Sequence, residues 1–170
     1  MEPPAFHQTP RDLAAELMKH IPIEKGDCVL EPFRGNGAFF DAIPEGCERK
    51  WTEIADGRDF RIMDDEPYDW VVSNPPFKVD GWDKTPRNGN AFFPLLDYFT
   101  DRARKGVAFF GNDYCFASLM TPLRFAKIQS KGWFIQKVVV CNVRKWRGRY
   151  YLVIFTRTPA STFVALPGNW

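Results

Sequence analysis

One stretch of the chain constrains its fold and its chemistry more than any other. An apolar run, Trp70–Val72, continues through Ser73 into Asn74-Pro75-Pro76-Phe77. The run has the β-branched content of a buried strand. The strand must end at the two prolines, because proline lacks the N–H that a β-ladder needs. Each proline also keeps the residue before it out of the helical region, so we expect a rigid, extended segment directly after the strand.

The groups at this strand end suit one kind of chemistry. Ligands of open α/β sheets bind just outside the carboxyl ends of strands. An amino group conjugated to a ring, like an amide nitrogen, is a poor nucleophile because its lone pair is delocalised. The side-chain oxygen of Asn74 and the carbonyl of Pro75 can accept its two hydrogens, and Phe77 can stack on the ring. The pattern therefore predicts a site that activates such a nitrogen.

A second candidate ligand site follows an earlier strand, Cys28–Leu30. Glu31 and Pro32 come next, and glycines at 35 and 37 permit a tight turn before a helix. This order of strand, glycine loop and helix is typical of nucleotide sites, although the third glycine of the dinucleotide fingerprint is missing. The Glu31 carboxylate would repel a phosphate. The loop therefore favours a nucleoside with a cationic tail over a dinucleotide.

Acidic and aromatic residues after the next strand complete the candidate cofactor site. Glu53 lies at the end of the predicted strand Arg49–Ile54, and an acid at this place can bind both ribose hydroxyls. Asp59 can accept a hydrogen bond from an adenine amino group, and Phe60 can pack on the adenine ring. Each of these residues also has an ordinary interpretation, as a solvated acid, a turn and a core aromatic.

The first helix is predicted from its N-terminal signals. Thr9 is a good N-cap, Pro10 suits the first helical position, and Asp12 completes a capping box. Apolar residues then recur at helical spacing as far as Ile21, and Pro22 ends the pattern. The later elements are a polar loop over 78–90, a helix around Leu95–Ala103, a strand over Val107–Phe110, a helix over Ser118–Ser130, and strands over Phe134–Cys141 and Tyr150–Thr156.

The last two strands are joined by the densest group of positive charges in the chain. Arg144, Lys145, Arg147 and Arg149 surround Trp146. Arginine and lysine can hold phosphates and tryptophan can stack on a base, so this loop is a candidate nucleic-acid-binding surface. A solvated hairpin tip is the alternative. The net charge of +2 is too small to indicate nucleic acid by itself, so any basic surface must be local.

Composition limits the other possibilities. The 170 residues fit one domain, with 45% hydrophobic and 26% charged residues, a globular balance. The four cysteines show no C-x-x-C spacing and there are two histidines, so we expect reduced thiols and no metal site. We see neither a signal peptide nor a membrane span. These features predict a cytoplasmic protein, or a nuclear one in a eukaryote.

Taken together, these motifs resemble the amino-methyltransferases that use S-adenosylmethionine, and most closely the N6-adenine-specific DNA methyltransferases. The resemblance covers nearly the whole chain, with the motifs in the order of one known circular arrangement. It implies S-adenosylmethionine as cofactor. It implies cofactor-binding roles for Thr9, Pro10 (within His7–Pro10), Glu31, Pro32, Gly35, Gly37, Glu53, Asp59, Phe60 and Asn74, and catalytic roles for Asn74, Pro75, Pro76 and Phe77.

The resemblance also implies a Rossmann-like class I methyltransferase fold. This fold has a seven-stranded, mostly parallel sheet with the last strand antiparallel and helices on both faces. The chain matches it if a short third strand lies near Phe60–Met63. We expect one methyltransferase domain over 1–170 with no separate target-recognition domain, so that loops, a partner subunit or a second copy in a homodimer select the target.

Three functions fit these observations. The first is methylation of adenine N6 in nucleic acid, with DNA favoured and RNA possible. The second is methylation of a protein glutamine at N5, which uses the same tetrapeptide; those enzymes have an Asp-centred glycine loop where this chain has Glu31-Pro32. The third is a non-catalytic, nucleic-acid-binding subunit of a methyltransferase complex, against which the intact Asn74, Pro75 and Phe77 speak.

Overall fold

A seven-stranded sheet organises the described part of the chain. The computed structural model describes residues 8–63, 66–84, 90–168 and 170. The strands are β1 (Cys28–Glu31), β2 (Glu48–Trp51), β3 (Trp70–Ser73), β4 (Gly106–Asn112), β5 (Phe134–Cys141), β6 (Tyr150–Thr156) and β7 (Thr162–Ala165). The helices are α1 (Arg11–Met18), α2 (Ala38–Ala42), α3 (Phe60–Met63), α4 (Phe92–Thr100), α5 (Asp113–Leu119) and α6 (Pro122–Ser130).

The strand order is β2-β1-β3-β4-β6-β5-β7. Strands β1 to β4 run parallel to one another, and β7 runs parallel to β5. Strand β6 lies between β4 and β5 and is antiparallel to both. The predicted fold class, a mostly parallel seven-stranded sheet with an antiparallel strand, is thus confirmed. The antiparallel strand, Tyr150–Thr156, is however the sixth strand and not the last, because β7 follows it and runs parallel to β5. The carboxyl ends of β1, β2, β3, β4 and β5 consequently lie at one edge, which we call the carboxyl edge.

The predicted third strand near Phe60–Met63 is wrong, because these residues form helix α3. The preceding residue, Asp59, starts the helix: its carbonyl accepts the N–H of Ile62 at 3.1 Å and its carboxylate accepts the N–H of Arg61 at 2.9 Å. The seventh strand is instead β7, which pairs with β5 and is the outermost strand on the side of the sheet away from β2.

Helices cover both faces of the sheet, and alternating strand residues separate two cores. On β4, Phe109 belongs to the core under α4 and α5, whereas Phe110 belongs to the core under α1 and α2. Both rings are fully buried. Gly106 lies opposite Trp70 on β3, and a Cβ at that glycine would overlap the indole ring. The strands that end at the carboxyl edge are therefore packed tightly from both sides.

Two helix predictions need correction. Helix α1 has Pro10 at its N-cap position with no side-chain cap, so the predicted capping role of Thr9 is wrong. The predicted helix over Ser118–Ser130 is divided between α5 and α6, and Pro122 occupies the first turn of α6.

His7 and residues 85–89 of the predicted polar loop lie outside the described residues. No helix in the described ranges is long and apolar enough to span a membrane.

Candidate functional site

The carboxyl edge brings together most of the polar residues that the sequence singled out. Glu31 ends β1, Glu53 follows β2, and Asn74 follows β3. The loop 142–149 connects β5 to β6 at the same edge. Parallel strands end at a common edge, so residues far apart in sequence become neighbours there.

The Asn74–Phe77 segment is fixed by contacts on two sides. The Asn74 side-chain nitrogen donates to the hydroxyl of Thr9 at 3.3 Å, which places the start of α1 beside the tetrapeptide. The carbonyl of Phe77 accepts the N–H of Ala91 at 2.7 Å. Pro75 is buried, and among the described residues no N–H donates to its carbonyl. The ring of Phe77 is 46% exposed and can contact a ligand.

Glu31 is a buried carboxyl group at the end of β1. It is 3% exposed, and no described group donates a hydrogen bond to its Oε2. Burial raises the pKa of this carboxyl to about 8, although the backbone N–H of Phe40 and the charge of Arg34 act in the opposite direction. A buried carboxyl group without a full set of partners indicates a site for a cationic or hydrogen-bond-donating ligand.

The glycine loop and Glu53 contact each other directly. The Glu53 carboxylate accepts the N–H of Gly35 at 2.8 Å and the N–H of Ala55 at 3.2 Å. Gly35 and Gly37 have φ values of +50° and +78°, which favour glycine. The carbonyl of Pro32 accepts the hydroxyl of Thr52 at 2.7 Å. The fold thus places the predicted ribose-binding acid next to the predicted loop.

Asp59 and Phe60 are less available than the sequence indicated. Both carboxylate oxygens of Asp59 accept hydrogen bonds from the Arg61 guanidinium, which holds the pKa of Asp59 below its usual value. The ring of Phe60 is fully buried and packs edge-to-face on Phe33, with ring centroids 5.2 Å apart. Phe60 therefore has no exposed face for an adenine ring in this structure, whereas Phe33 is partly exposed.

Two arginines that the sequence analysis did not select flank a tryptophan beside this loop. The guanidinium carbons of Arg34 and Arg58 lie 4.5 Å and 4.2 Å from ring centroids of Trp51. Arg58 also donates to the carbonyl of Trp51 at 3.1 Å. These contacts fix the end of β2 just before Glu53, and the pairing of arginine with tryptophan at a strand end was the available sequence signal.

In the loop 142–149, the contacts of two residues differ from the predicted nucleic-acid-binding roles. Trp146 is partly buried and packs on Tyr150 and Phe110, with centroid distances of 4.7 Å and 6.4 Å, so its ring belongs to the core boundary. Arg149 forms an ion pair with Asp113 at 3.1 Å. The expectation that Trp146 stacks on a base and that Arg149 binds a phosphate is therefore not supported by their contacts. Arg144, Lys145 and Arg147 are exposed as expected.

Tyr114 is an aromatic residue at this edge that the sequence analysis missed. It lies in the first turn of α5, directly after β4, and is 56% exposed. The signal was present in Asn112-Asp113-Tyr114, a polar and aromatic sequence directly after an apolar strand, as in the Asn74–Phe77 segment.

Comparison with solved structures identifies the fold. The chain superposes on a Listeria monocytogenes protein, provisionally named a class I S-adenosylmethionine-dependent methyltransferase, with a TM-score of 0.65 and 13% identity over 91% of this chain and 64% of that chain. A type I restriction-modification methyltransferase subunit from Streptococcus thermophilus gives 0.66 and 13% over 93% and 47%. A Pyrococcus horikoshii protein, provisionally named an RNA methyltransferase, gives 0.59 and 16% over 89% and 87%.

These similarities identify the fold, and they cover only part of the longer proteins. The chain has the Rossmann-like fold of class I S-adenosylmethionine-dependent methyltransferases. It spans about half the length of the restriction-modification subunits that it matches. No family model and no curated protein sequence matches the chain.

Proposed function

We propose that this protein transfers a methyl group from S-adenosylmethionine to the N6 amino group of adenine in nucleic acid. The observation that carries the proposal is the Asn74–Phe77 segment, which leaves β3 at the carboxyl edge with its aromatic ring exposed. The similarity to restriction-modification methyltransferase subunits supports DNA as the substrate, and the similarity to a protein named for RNA methylation keeps RNA open.

The chain's residues fit the proposed cofactor. Glu31 offers a buried carboxyl group whose Oε2 has no partner among the described residues, which suits the cofactor's ammonium group. Glu53 would bind both ribose hydroxyls, and it would exchange its hydrogen bond to Gly35 for them or share it. The Thr9–Asn74 contact supports the proposed place of Thr9, and of Pro10 next to it, in the same site.

The tetrapeptide would act on the target amine. The Asn74 side-chain oxygen and the Pro75 carbonyl accept the two hydrogens of the amino group, which directs its lone pair out of the ring plane. Phe77 holds the adenine ring by stacking. When bound, S-adenosylmethionine supplies an electrophilic methyl group on a sulfonium. After transfer, the nitrogen carries an excess proton, which can leave through the same two acceptors to water.

The test is transfer of labelled methyl groups to DNA, RNA and protein in parallel, followed by nucleoside analysis. We expect label in N6-methylated adenine. Asn74→Ala should lower the rate by about a hundredfold or more, as for loss of one preorganised polar group. Gln129→Ala, an exposed amide on α6, is the matched control. Label on glutamine, or cofactor binding without transfer to any substrate, would refute the proposal.

A further inference from the structure

Helix α5 and the loop 142–149 form one unit at the carboxyl edge, which we call the α5–hairpin surface. The carboxylate of Asp113 accepts the N–H of Arg149 at 3.0 Å and its Nε at 3.1 Å, and the hydroxyl of Tyr151 at 2.8 Å. The Asp113 N–H donates to the Arg149 carbonyl at 3.1 Å. One acidic side chain thus fixes the hairpin to the start of the helix.

Two further contacts make this connection rigid. The rings of Phe116 on α5 and Tyr151 on β6 stack with centroids 4.5 Å apart and an interplanar angle of 12°. Gly148 has a φ of +82°, and a Cβ at this position would lie 3.0 Å from the Asp113 carboxylate. The hairpin can therefore approach the helix so closely because residue 148 is glycine.

The unit presents an aromatic ring and three cations to solvent. Tyr114, which directly follows Asp113 on α5, is 56% exposed. Arg144, Lys145 and Arg147 are exposed, and none of them forms an ion pair with a residue that the structure describes. Exposed rings are ordinary when they stand alone. Tyr114 belongs to the same unit as three exposed cations, and it follows β4, which pairs with β3, the strand that precedes Phe77.

We propose that the α5–hairpin surface binds an unpaired strand of nucleic acid next to the target adenine. Tyr114 stacks on a neighbouring base, and Arg144, Lys145 and Arg147 bind phosphates. This inference deepens the proposed function and rests on it for the identity of the target. A ring face can reach a base only where that base is not covered by its neighbours, whereas an intact duplex presents base edges and phosphates.

The geometry of the sheet supports this path for the strand. Phe77 follows β3 and Tyr114 follows β4, and adjacent strands lie about 4.8 Å apart. The loop 142–149, which carries the three cations, joins β5 and β6. These strands come after β4 in the order across the sheet. A strand of nucleic acid that crosses the carboxyl edge therefore meets Phe77, then Tyr114, then the cations. A target base that is unpaired also needs no flipping out of a duplex.

The experiment measures binding without the methyl donor, so that it is independent of catalysis. Fluorescence anisotropy compares a single-stranded oligonucleotide of about 12 nucleotides, as DNA and as RNA, with the corresponding duplex. The variants are Tyr114→Ala, Tyr114→Phe and the triple change of Arg144, Lys145 and Arg147 to alanine. Phe163→Ala is the matched control, because Phe163 is a 70% exposed aromatic residue on β7 and is not part of the α5–hairpin surface.

We expect Tyr114→Ala to weaken single-strand binding by about tenfold or more, Tyr114→Phe to preserve it, and Phe163→Ala to leave it unchanged. Three phosphate contacts predict that the triple variant flattens the log–log salt dependence by about 2. Tighter binding of the duplex than of the single strand, or an unchanged affinity of Tyr114→Ala, would overturn the inference. Single-strand binding with the expected variant effects, but without methyl transfer, would refute only the proposed function and would leave this inference standing.

Discussion

Replacing Glu31 with glutamine should stabilise the protein at alkaline pH and weaken its cofactor binding at the same time. Burial raises the pKa of this carboxyl from its ordinary value of 4.5 to about 8 in the folded protein. Between these values the folded state holds a proton that the unfolded state has lost. The free energy of unfolding therefore falls as the pH rises through this interval, because ionisation of the buried group opposes folding.

The size of the effect follows from the interval. At about 1.36 kcal/mol for each pH unit, a pKa of about 8 against 4.5 corresponds to an upper value of about 5 kcal/mol. Local relaxation and water entry reduce such penalties, so we expect about 2–5 kcal/mol. Glutamine has nearly the same shape and does not titrate. The difference in free energy of unfolding between Glu31→Gln and wild type should therefore grow by this amount between about pH 5 and about pH 9.

The assay is urea denaturation at several pH values for wild type, Glu31→Gln and Glu45→Gln. Glu45 is exposed, so its variant should follow the pH profile of wild type. Other titrating groups contribute equally to all three proteins and cancel in the differences. Parallel profiles for wild type and Glu31→Gln would refute the argument, because they would mean that Glu31 titrates alike in the folded and unfolded states.

The same substitution tests the proposed role of Glu31 toward the cofactor. An ammonium group next to the carboxyl would favour its ionised form, so saturating S-adenosylmethionine should reduce the alkaline loss of stability in wild type. In Glu31→Gln the ammonium loses its charged partner, and we expect cofactor affinity to fall by about 1.5–3 kcal/mol in calorimetry. A variant with unchanged affinity would show that Glu31 does not contact the cofactor.

Three further predictions follow from the described contacts. Glu53→Ala should weaken cofactor binding by about 1–3 kcal/mol in calorimetry with a chelator present, and absence of binding by the wild type would contradict the cofactor site. Phe77→Ala should lower methylation while cofactor affinity stays nearly the same; loss of cofactor binding would assign the ring to the cofactor pocket. Gly106→Ala should destabilise the fold by about 3 kcal/mol or more in denaturation, because its Cβ overlaps Trp70, and a normal midpoint would contradict this packing.

The sequence predicted best the two long strands that are rich in apolar and β-branched residues. The bounds of Phe134–Cys141 and Tyr150–Thr156 are confirmed to the residue. It failed at Phe60–Met63, where a fully buried Phe60 resembled the start of a strand, although the preceding aspartate caps a helix. A short segment cannot show by periodicity which of the two forms, because both bury the same ring.

The site was predictable only in so far as its residues lie at strand ends. Glu31, Glu53 and Asn74 meet at the carboxyl edge because each ends or follows one of the parallel strands. The resemblance had predicted that these strands are parallel. The inward position of Trp146 could not be predicted. It depends on Tyr150 and Phe110, which are brought together by the pairing of β4 with β6, a contact between distant segments. The contact of Thr9 could not be predicted either, because its hydroxyl does not cap α1 and instead accepts a hydrogen bond from Asn74, which is distant in sequence.

The position of β6 has a consequence for the order in which the chain folds. Strands β5 and β6 pair directly across a short connection, so this hairpin closes a small loop at little cost in chain entropy. The parallel pairs β1–β2 and β3–β4 require longer crossovers before any ladder bond can form. We expect the hairpin to acquire protected amides before β1 and β3 do in pulse-labelled hydrogen exchange. The basic tip would then exist early in folding, before the glycine loop and Asn74 come together to complete the carboxyl edge.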